Sequence, residues 1–146
     1  MSDRYVLDAT VAVRWFLPGQ DDDGSAAKVL ALFLAGDIVF LAPENLVHEF
    51  CGIICKHFRL RNRSPDDALG TLDKFFALPI EYVGSRELIK DAVGLAFRHN
   101  KTFYDMYYFS VGRNRDIPVC TADERCVSGV DKTFPAFIRP SDLLTE

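Results

Sequence analysis

Short apolar runs that alternate with longer helical segments constrain the fold of this chain more than any other feature of its sequence. Helical crossovers join parallel strands, and strands buried on both faces of a sheet read as nearly continuous apolar runs. The alternation therefore predicts a three-layer α/β/α fold, with a short parallel sheet of four to five strands covered by helices. The predicted strands are residues 5–7, 38–41, 80–83 and 117–120, with 137–138 as one more short strand.

Capping residues and apolar spacing predict the helices between these strands. Ser25 is expected to cap one helix, and Ser64 followed by Pro65 is expected to start another. After the second strand, Glu49 lies on a predicted inward stripe of apolar helical residues. The other members of this stripe are Leu46, Phe50, Ile53, His57 and Leu60. The predicted helices are residues 10–17, 25–34, 43–61, 64–77, 85–99 and 102–115.

Length and charge limit the class of protein. The 146 residues contain no internal repeat and no linker-like segment, so residues 1–146 are expected to form a single domain. The net charge of −4 provides no general attraction to phosphate backbones, and any nucleic-acid contact must come from local basic patches or bound cations. No typical signal sequence and no apolar run of roughly 18 residues is found. We therefore expect a cytoplasmic protein without a membrane partner.

Four cysteines, Cys51, Cys55, Cys120 and Cys126, are not spaced like the ligands of a zinc site, since no CxxC pair occurs. Cys51 and Cys55 lie among apolar residues, as small core residues do. The cysteines are therefore interpreted as reduced residues with a packing role.

One carboxylate stands inside a run of aromatic and apolar side chains, at Asp105 within residues 102–109. Burying an unpaired carboxylate is costly, so Asp105 must have a hydrogen-bond donor, a cation or a metal as its partner. Thr102 and Asp105 also have the T-x-x-D spacing of a helix-capping box, which is the simpler structural explanation.

Three further acids occupy comparable places. Asp8 and Asp123 each follow a predicted buried strand, and Glu49 lies on an apolar helical stripe. Singly, Asp8 and Asp123 are explained as helix caps, and Glu49 as the partner of an arginine. Ligands gather at the carboxyl ends of strands in parallel α/β folds. One oxygen-ligand site for a hard divalent cation explains Asp8, Glu49, Asp105 and Asp123 together.

Four ordered segments carry a resemblance to a known family. They are VLDATVAVRWFL at residues 6–17, LAPENL at 41–46 followed by Glu49, YDMYY at 104–108, and VCTAD at 119–123. In this order they resemble the PIN-domain nucleases, and more closely the VapC-type toxins of bacterial and archaeal toxin–antitoxin pairs. The resemblance implies a flavodoxin-like parallel sheet and an endoribonuclease that depends on Mg²⁺ or Mn²⁺. It also implies an RNA substrate, a cognate VapB-type antitoxin and a homodimer.

The resemblance also implies roles for individual residues. Asp8, Glu49, Asp105 and Asp123 match the first, second, third and fourth acids of the family, and Thr121 matches the hydroxyl of its S/T-x-D element. Asp8 and Asp105 are expected to ligate metal directly, with Glu49 and Asp123 binding a second ion or positioning the water. The chain departs from the pattern at Gly52, where many VapC-type members carry an asparagine.

Other functions are consistent with parts of the sequence. An aspartate-dependent phosphatase could use Asp8 as its nucleophile, although the HAD-type enzymes expect a second aspartate where Thr10 stands. A PIN-like fold could also serve as a non-catalytic module that binds RNA or protein. No G-x-x-x-x-G-K-[ST] segment occurs, which disfavours nucleotide triphosphate hydrolysis. The candidate phosphate contacts are Arg59, Arg61, Arg63, Arg113 and Arg115.

Overall fold

A five-stranded parallel sheet forms the centre of the protein, in a computed structural model that describes residues 2–145. The strands are β1 Asp3–Leu7, β2 Ile38–Ala42, β3 Glu81–Tyr82, β4 Val119–Cys120 and β5 Phe137–Ile138. Their order in the sheet is β3-β2-β1-β4-β5, and every neighbouring pair is parallel. The α/β fold with a parallel sheet flanked by helices, predicted from the alternation of apolar runs and helices, is confirmed.

Eight α-helices connect and flank these strands within the described residues, and a 3₁₀ turn at Val13–Trp15 extends the first of them. Predicted caps at Ser64 and Thr102 are confirmed, since each side chain accepts a hydrogen bond from an amide of the first helical turn. Ser85, where a helix was predicted to begin, is also an N-cap. Over residues 2–145, none of the helices is both long and apolar enough to cross a bilayer. The helices are α1 Ala9–Ala12, α2 Ser25–Ala35, α3 Asn45–Leu60, α4 Pro65–Phe76, α5 Arg86–His99, α6 Phe103–Arg115, α7 Glu124–Val127 and α8 Pro140–Leu143.

The junction of β1 and β4 brings two separated parts of the sequence together. β1 is the central strand, and Leu7 is paired in register with Cys120. Beyond the paired residues, the Asp8 amide donates a hydrogen bond of 3.2 Å to the Cys120 carbonyl oxygen. Asp8 and Thr121 therefore leave the sheet side by side at its carboxyl edge.

Stacked aromatic rings join α3 to α4. Phe50 and Phe75 are fully buried and nearly parallel, with ring centroids 3.9 Å apart, and Phe16 packs edge-on against both. At the N-terminal end of α3, the side-chain Nδ2 of Asn45 donates to the Tyr104 carbonyl oxygen of α6 at 3.4 Å. These contacts fix the helix that carries Glu49 relative to the helix that carries Asp105.

The start of α2 differs from the prediction. Gly24, with a φ of 74°, is the N-cap residue, and Ser25 is the first helical residue and is buried. The Asp23 side chain accepts from the Ser25 amide, and the Asp21 side chain accepts from the next two amides. Carboxylates of the preceding acidic loop thus satisfy the free amides at the positive end of the helix. The prediction that Ser25 caps this helix is wrong for that reason.

The buried stripe of α3 also differs from the prediction after Phe50. Ile53 and Leu60, expected inside, are 37% and 71% exposed, and His57 is half-buried. The helix packs along a ridge of residues four apart, so Ile54 rather than Ile53 follows Phe50. The buried residues of α3 are Leu46, Phe50, Ile54 and Phe58.

Close packing of α6 against β4 requires glycine at position 112. A Cβ added to Gly112 would lie 2.8 Å from the Ile117 carbonyl oxygen and 3.2 Å from Val119 Cγ2.

Gly112→Ala is therefore expected to lower the free energy of unfolding by roughly 1–3 kcal/mol in urea denaturation. Gly94→Ala is the matched control, because a Cβ at this exposed position of α5 meets no atom within 4 Å. It is expected to stabilise the protein by roughly 0.5–1 kcal/mol. Equal stability of the two variants would contradict the packing described here.

Candidate active site

Asp8 lies at the carboxyl end of β1 and is 7% exposed. It caps α1, since its Oδ1 accepts a hydrogen bond of 3.3 Å from the Thr10 amide. Its Oδ2 accepts hydrogen bonds from the Thr121 hydroxyl at 2.5 Å and from the Thr10 hydroxyl at 3.2 Å. The cap predicted for Asp8 is therefore real. Two hydroxyl groups, one from each strand end, also orient its carboxylate.

Burial raises the pKa of Asp8 from its usual 3.8 to about 6. The hydrogen bonds from Thr121 and Thr10 oppose this rise, and the negative charge of Asp105 adds to it. The protein thus keeps a carboxylate in surroundings that disfavour its charge. A nearby cation is the kind of partner that would relieve this cost.

Asp105 is at the third position of α6 and is half-buried. Its amide donates a hydrogen bond of 3.1 Å to the Thr102 hydroxyl, as the T-x-x-D spacing predicts. Burial raises the pKa of Asp105, a hydrogen bond with Thr102 opposes the rise, and the charge of Asp123 adds to it. The capping interpretation is correct, and it leaves the carboxylate facing another acid.

Glu49 is half-buried on α3, and the Asn45 amide nitrogen donates to its Oε1 at 3.3 Å. Burial raises the pKa of Glu49 to about 7, and the charges of Asp8 and Asp105 add to this effect. No arginine within residues 2–145 forms an ion pair with Glu49. The interpretation of Glu49 as the partner of an arginine is therefore wrong. Gly52 is exposed on the same helix, and a Cβ there would meet nothing within 4 Å.

Asp123 caps α7 and connects the loop after β4 to the site. Its Oδ1 accepts hydrogen bonds from the amides of Arg125 and Cys126. The Thr121 hydroxyl accepts from the Asp123 amide at 3.1 Å, and the Thr10 hydroxyl accepts from the next amide in the loop, that of Ala122, at 3.0 Å. Thr121 therefore contacts both Asp8 and Asp123, and it holds the two strand-end loops in one arrangement.

The four predicted acids converge at one end of the sheet. Charges of Asp8 and Asp105 act on Glu49, and the charge of Asp123 acts on Asp105. The donors are carboxylate oxygens, which are the ligands that Mg²⁺ and Mn²⁺ prefer. Carboxylates gathered at one place repel one another, and this repulsion favours binding of a divalent ion.

Four further residues of the site were not identified from the sequence. Cys126 is 4% exposed, and its thiol lies with the Asp105 and Asp123 carboxylates, all three ligand atoms being within 4.8 Å of one another. Burial, together with the surrounding acids, raises the pKa of Cys126 to about 12. Its spacing of three residues from Asp123 was the available signal. The other three are Tyr108, Lys101 and Arg125.

No protein-family model and no curated protein matches the sequence. Among solved structures, PAE2754 from Pyrobaculum aerophilum superposes with a TM-score of 0.69 at 18% identity, over 99% of this chain and 96% of that one. A toxin–antitoxin complex from Klebsiella pneumoniae superposes with a TM-score of 0.60 at 13% identity, over 93% and 97%. VapC20 from Mycobacterium tuberculosis, described as a sarcin-ricin loop cleaving toxin, has a TM-score of 0.60 at 17% identity, over 90% and 99%.

The protein has a PIN-like fold. The resemblance to VapC-type proteins drawn from the four sequence segments is thereby confirmed at the level of the fold.

In this PIN-like fold the acids lie at the topological switch point of the sheet. From β1 the chain passes to β2 on one side and later returns to β4 on the other. Connections leaving in opposite directions open a crevice outside the carboxyl ends of the two strands. Asp8 and Thr121 occupy this crevice, which is where ligands of such sheets bind.

The buried charge of Asp8 predicts a gain in stability when it is removed. When the pKa of an acid is higher in the folded state, the protein loses stability as the pH rises. For Asp8 the loss develops between pH 3.8 and about 6 and amounts to roughly 3 kcal/mol of the free energy of unfolding above that range. In EDTA, Asp8→Asn is therefore expected to raise the free energy of unfolding by roughly 2–3 kcal/mol at pH 8, with a much smaller effect at pH 4. Both threonine hydroxyls can accept from the new amide.

The control for this measurement is Asp22→Asn in the exposed loop before α2, which is expected to change stability equally little at both pH values. Loss of stability in Asp8→Asn at pH 8 would contradict the assignment of Asp8 as a strained buried charge.

Proposed function

We propose that this protein is a divalent-metal-dependent endoribonuclease and the toxin of a VapBC-type toxin–antitoxin pair. The observation that carries the proposal is the convergence of Asp8, Glu49, Asp105 and Asp123 at the switch point of the sheet. Hydrolysis of a phosphodiester requires that negative charge be neutralised and that a water be activated. A cluster of hard oxygen ligands in an open crevice meets both requirements once a divalent cation is bound.

The residues present fit Mg²⁺ or Mn²⁺ as the cofactor. Besides the carboxylates, the Tyr108 hydroxyl lies beside Glu49 and makes no well-formed hydrogen bond within the described residues, although Tyr108 is only 1% exposed. The groups near this hydroxyl are Glu49 and the Ala9 backbone, and a water or a phosphate oxygen in the pocket would complete its hydrogen bonding. When bound there, a divalent ion supplies charge neutralisation at the phosphate and lowers the pKa of a bound water.

Each residue has a distinct role in this proposal. Asp8 and Asp105 are the direct ligands, because one ends the central strand and the other faces it from α6. Glu49 and Asp123 bind a second ion or position the attacking water. Thr121 orients Asp8 through the 2.5 Å hydrogen bond from its hydroxyl. The two carboxylate oxygens of Asp8 accept three hydrogen bonds, and this arrangement suits a metal ligand better than the nucleophile of a phosphatase.

Properties of the structural neighbours support the biological part of the proposal. VapC20 is described as a toxin that cleaves the sarcin-ricin loop, and another neighbour is a toxin–antitoxin complex. For this protein we accordingly propose an RNA substrate, a VapB-type antitoxin partner and a homodimer. We also propose that residues 1–146 act as a single domain in the cytoplasm.

Two basic residues at the site, rather than the arginines expected from the sequence, are suited to hold the RNA backbone. Lys101 and Arg125 line an open pocket of about 540 Å³ together with Asp105 and Asp123. Arg125 forms no ion pair with any residue between 2 and 145, so its guanidinium can bind phosphate. The predicted contacts Arg63 and Arg113 instead pair with acids on their own surface.

Removal of one ligand tests the catalytic proposal. Asp105→Asn is expected to reduce Mn²⁺-dependent cleavage of RNA more than about a hundredfold, because a metal ligand is lost while the N-cap hydrogen bond to Thr102 remains. EDTA is expected to abolish cleavage by the unaltered protein. Asp66→Asn, at an exposed position in the first turn of α4, is the control and is expected to retain full activity. Rates equal to those of the unaltered protein in purified Asp105→Asn would refute the proposal.

Arg125→Gln tests the path of the RNA. With Asp8→Asn present to prevent cleavage, the change is expected to weaken binding of single-stranded RNA. It should also lower the slope of log Kd against log salt by about 0.7, which is the effect of one lost phosphate contact. Arg59→Gln is the control, because Arg59 lies ten residues along α3 from Glu49, about 15 Å away. Equal salt slopes in the two variants would exclude Arg125 as a phosphate contact.

A further inference from the structure

Cys126 places a thiol beside a group of carboxylates. Its thiol and the carboxylate oxygens of Asp105 and Asp123 lie within 4.8 Å of one another, and Cys126 is 4% exposed. In the nuclease proposed above this thiol has no role.

Backbone geometry holds Cys126 in this position. Asp123 precedes α7 and accepts hydrogen bonds from the amides of Arg125 and Cys126, at 3.1 and 3.2 Å. This cap therefore holds the start of α7, and with it the Cys126 thiol, next to the Asp123 carboxylate. Asp105 approaches the same point from α6 and is placed by its own cap at Thr102.

An independent observation indicates that the pocket takes a polar occupant. The Tyr108 hydroxyl is buried, faces Asp8 and Glu49, and lacks a well-formed hydrogen bond among the described residues. Charges of Asp8, Asp105 and Asp123 all act on Cys126. The charge of Asp8 acts on both the Tyr108 hydroxyl and the Cys126 thiol, so the two groups belong to the same set of acids.

One sulfur and two carboxylates match the preference of borderline-soft cations. Zn²⁺ binds thiolate at about 2.3 Å and carboxylate oxygen at about 2.0–2.2 Å, usually with four tetrahedral ligands, whereas Mg²⁺ avoids sulfur. Ligand atoms in such a site are about 3.4–3.7 Å apart. Small side-chain rotations would bring the three ligand atoms from their present separations to this geometry and leave the fourth position to water.

We propose that Asp105, Asp123 and Cys126 form a binding site for a thiophilic divalent cation of the Zn²⁺ class. On binding, the sulfur–metal bond forms as the thiol proton passes to solvent. This cation would bind the carboxylates of Asp105 and Asp123, which the proposed nuclease needs, so it competes with Mg²⁺ or Mn²⁺. Only this competition rests on the proposed function, since the binding itself depends on the pocket alone.

Two other cysteines must be removed before this site can be measured. Cys51 and Cys55 lie four residues apart on α3, and Cys55 is exposed. Such a pair on one helical face can itself bind soft metals. The background for the experiment is therefore Cys51→Ala/Cys55→Ala, which leaves the acidic pocket unchanged.

Titration with Co²⁺ tests the proposal directly, because thiolate ligation produces a near-ultraviolet charge-transfer band that oxygen ligands do not. The band is expected to saturate at one equivalent in the background protein. Adding Cys126→Ser is expected to abolish it and to weaken Co²⁺ binding at least tenfold, with an unchanged far-ultraviolet circular dichroism spectrum. Absence of the band in the background protein would overturn the proposal, as would its persistence in Cys126→Ser.

Cadmium NMR of the background protein provides a measurement that needs no change at Cys126. One resonance displaced far downfield of all-oxygen sites is expected, and a resonance in the all-oxygen range would overturn the proposal. Zn²⁺ should also inhibit Mn²⁺-dependent RNA cleavage by the background protein. Should no RNA be cleaved with any metal, the proposed nuclease fails, while the cobalt and cadmium signals still decide whether Cys126 binds metal.

Discussion

The burial of Asp8 at the junction of β1 and β4 is the constraint on which the site depends. Its carboxylate is 7% exposed and is held by hydroxyl groups from Thr10 and Thr121, which come from the two strand-end loops. Because those loops are separated by more than a hundred residues, this contact can exist only when β1 and β4 are paired. The fold and the chemical site are therefore formed by the same interaction.

Electrostatic repulsion distinguishes the other acids from ordinary helix caps. Asp105 and Asp123 serve as a capping-box residue and an N-cap, and these local roles explain their positions in sequence. Helix caps do not need to face one another, however, and here burial raises the pKa of Asp105 and the charge of the neighbouring Asp123 adds to the rise. Stability is given up at this point in exchange for an arrangement of charge that a divalent cation would neutralise.

Much of the fold could be predicted because it depends on local patterns. Buried parallel strands are short apolar runs, and serine or threonine before a helical stretch marks a cap, as at Ser85 and Thr102. The errors came from tertiary packing. Whether Ile53 or Ile54 faces inward depends on how α3 packs along its ridge, and the cap of α2 is supplied by Asp21 and Asp23 from a preceding loop.

The positions of the four acids could be predicted as well, because a carboxylate at a strand end or on an apolar face is conspicuous in sequence. Tyr108 and Arg125 could not, since a tyrosine in an apolar context looks like a core residue and an arginine near a helix looks solvated. For Cys126 the sequence offered one signal, its position three residues after Asp123. Their roles become visible only through proximity in three dimensions.

The central claim is that the four acids hold a divalent cation at the switch point. The most direct test is a crystal of the protein grown with Mn²⁺, in which the metal is located by anomalous scattering. We predict an anomalous peak between Asp8 and Asp105, within coordinating distance of an oxygen from each. Mn²⁺ bound elsewhere, with these carboxylates paired only to protein groups, would contradict the account.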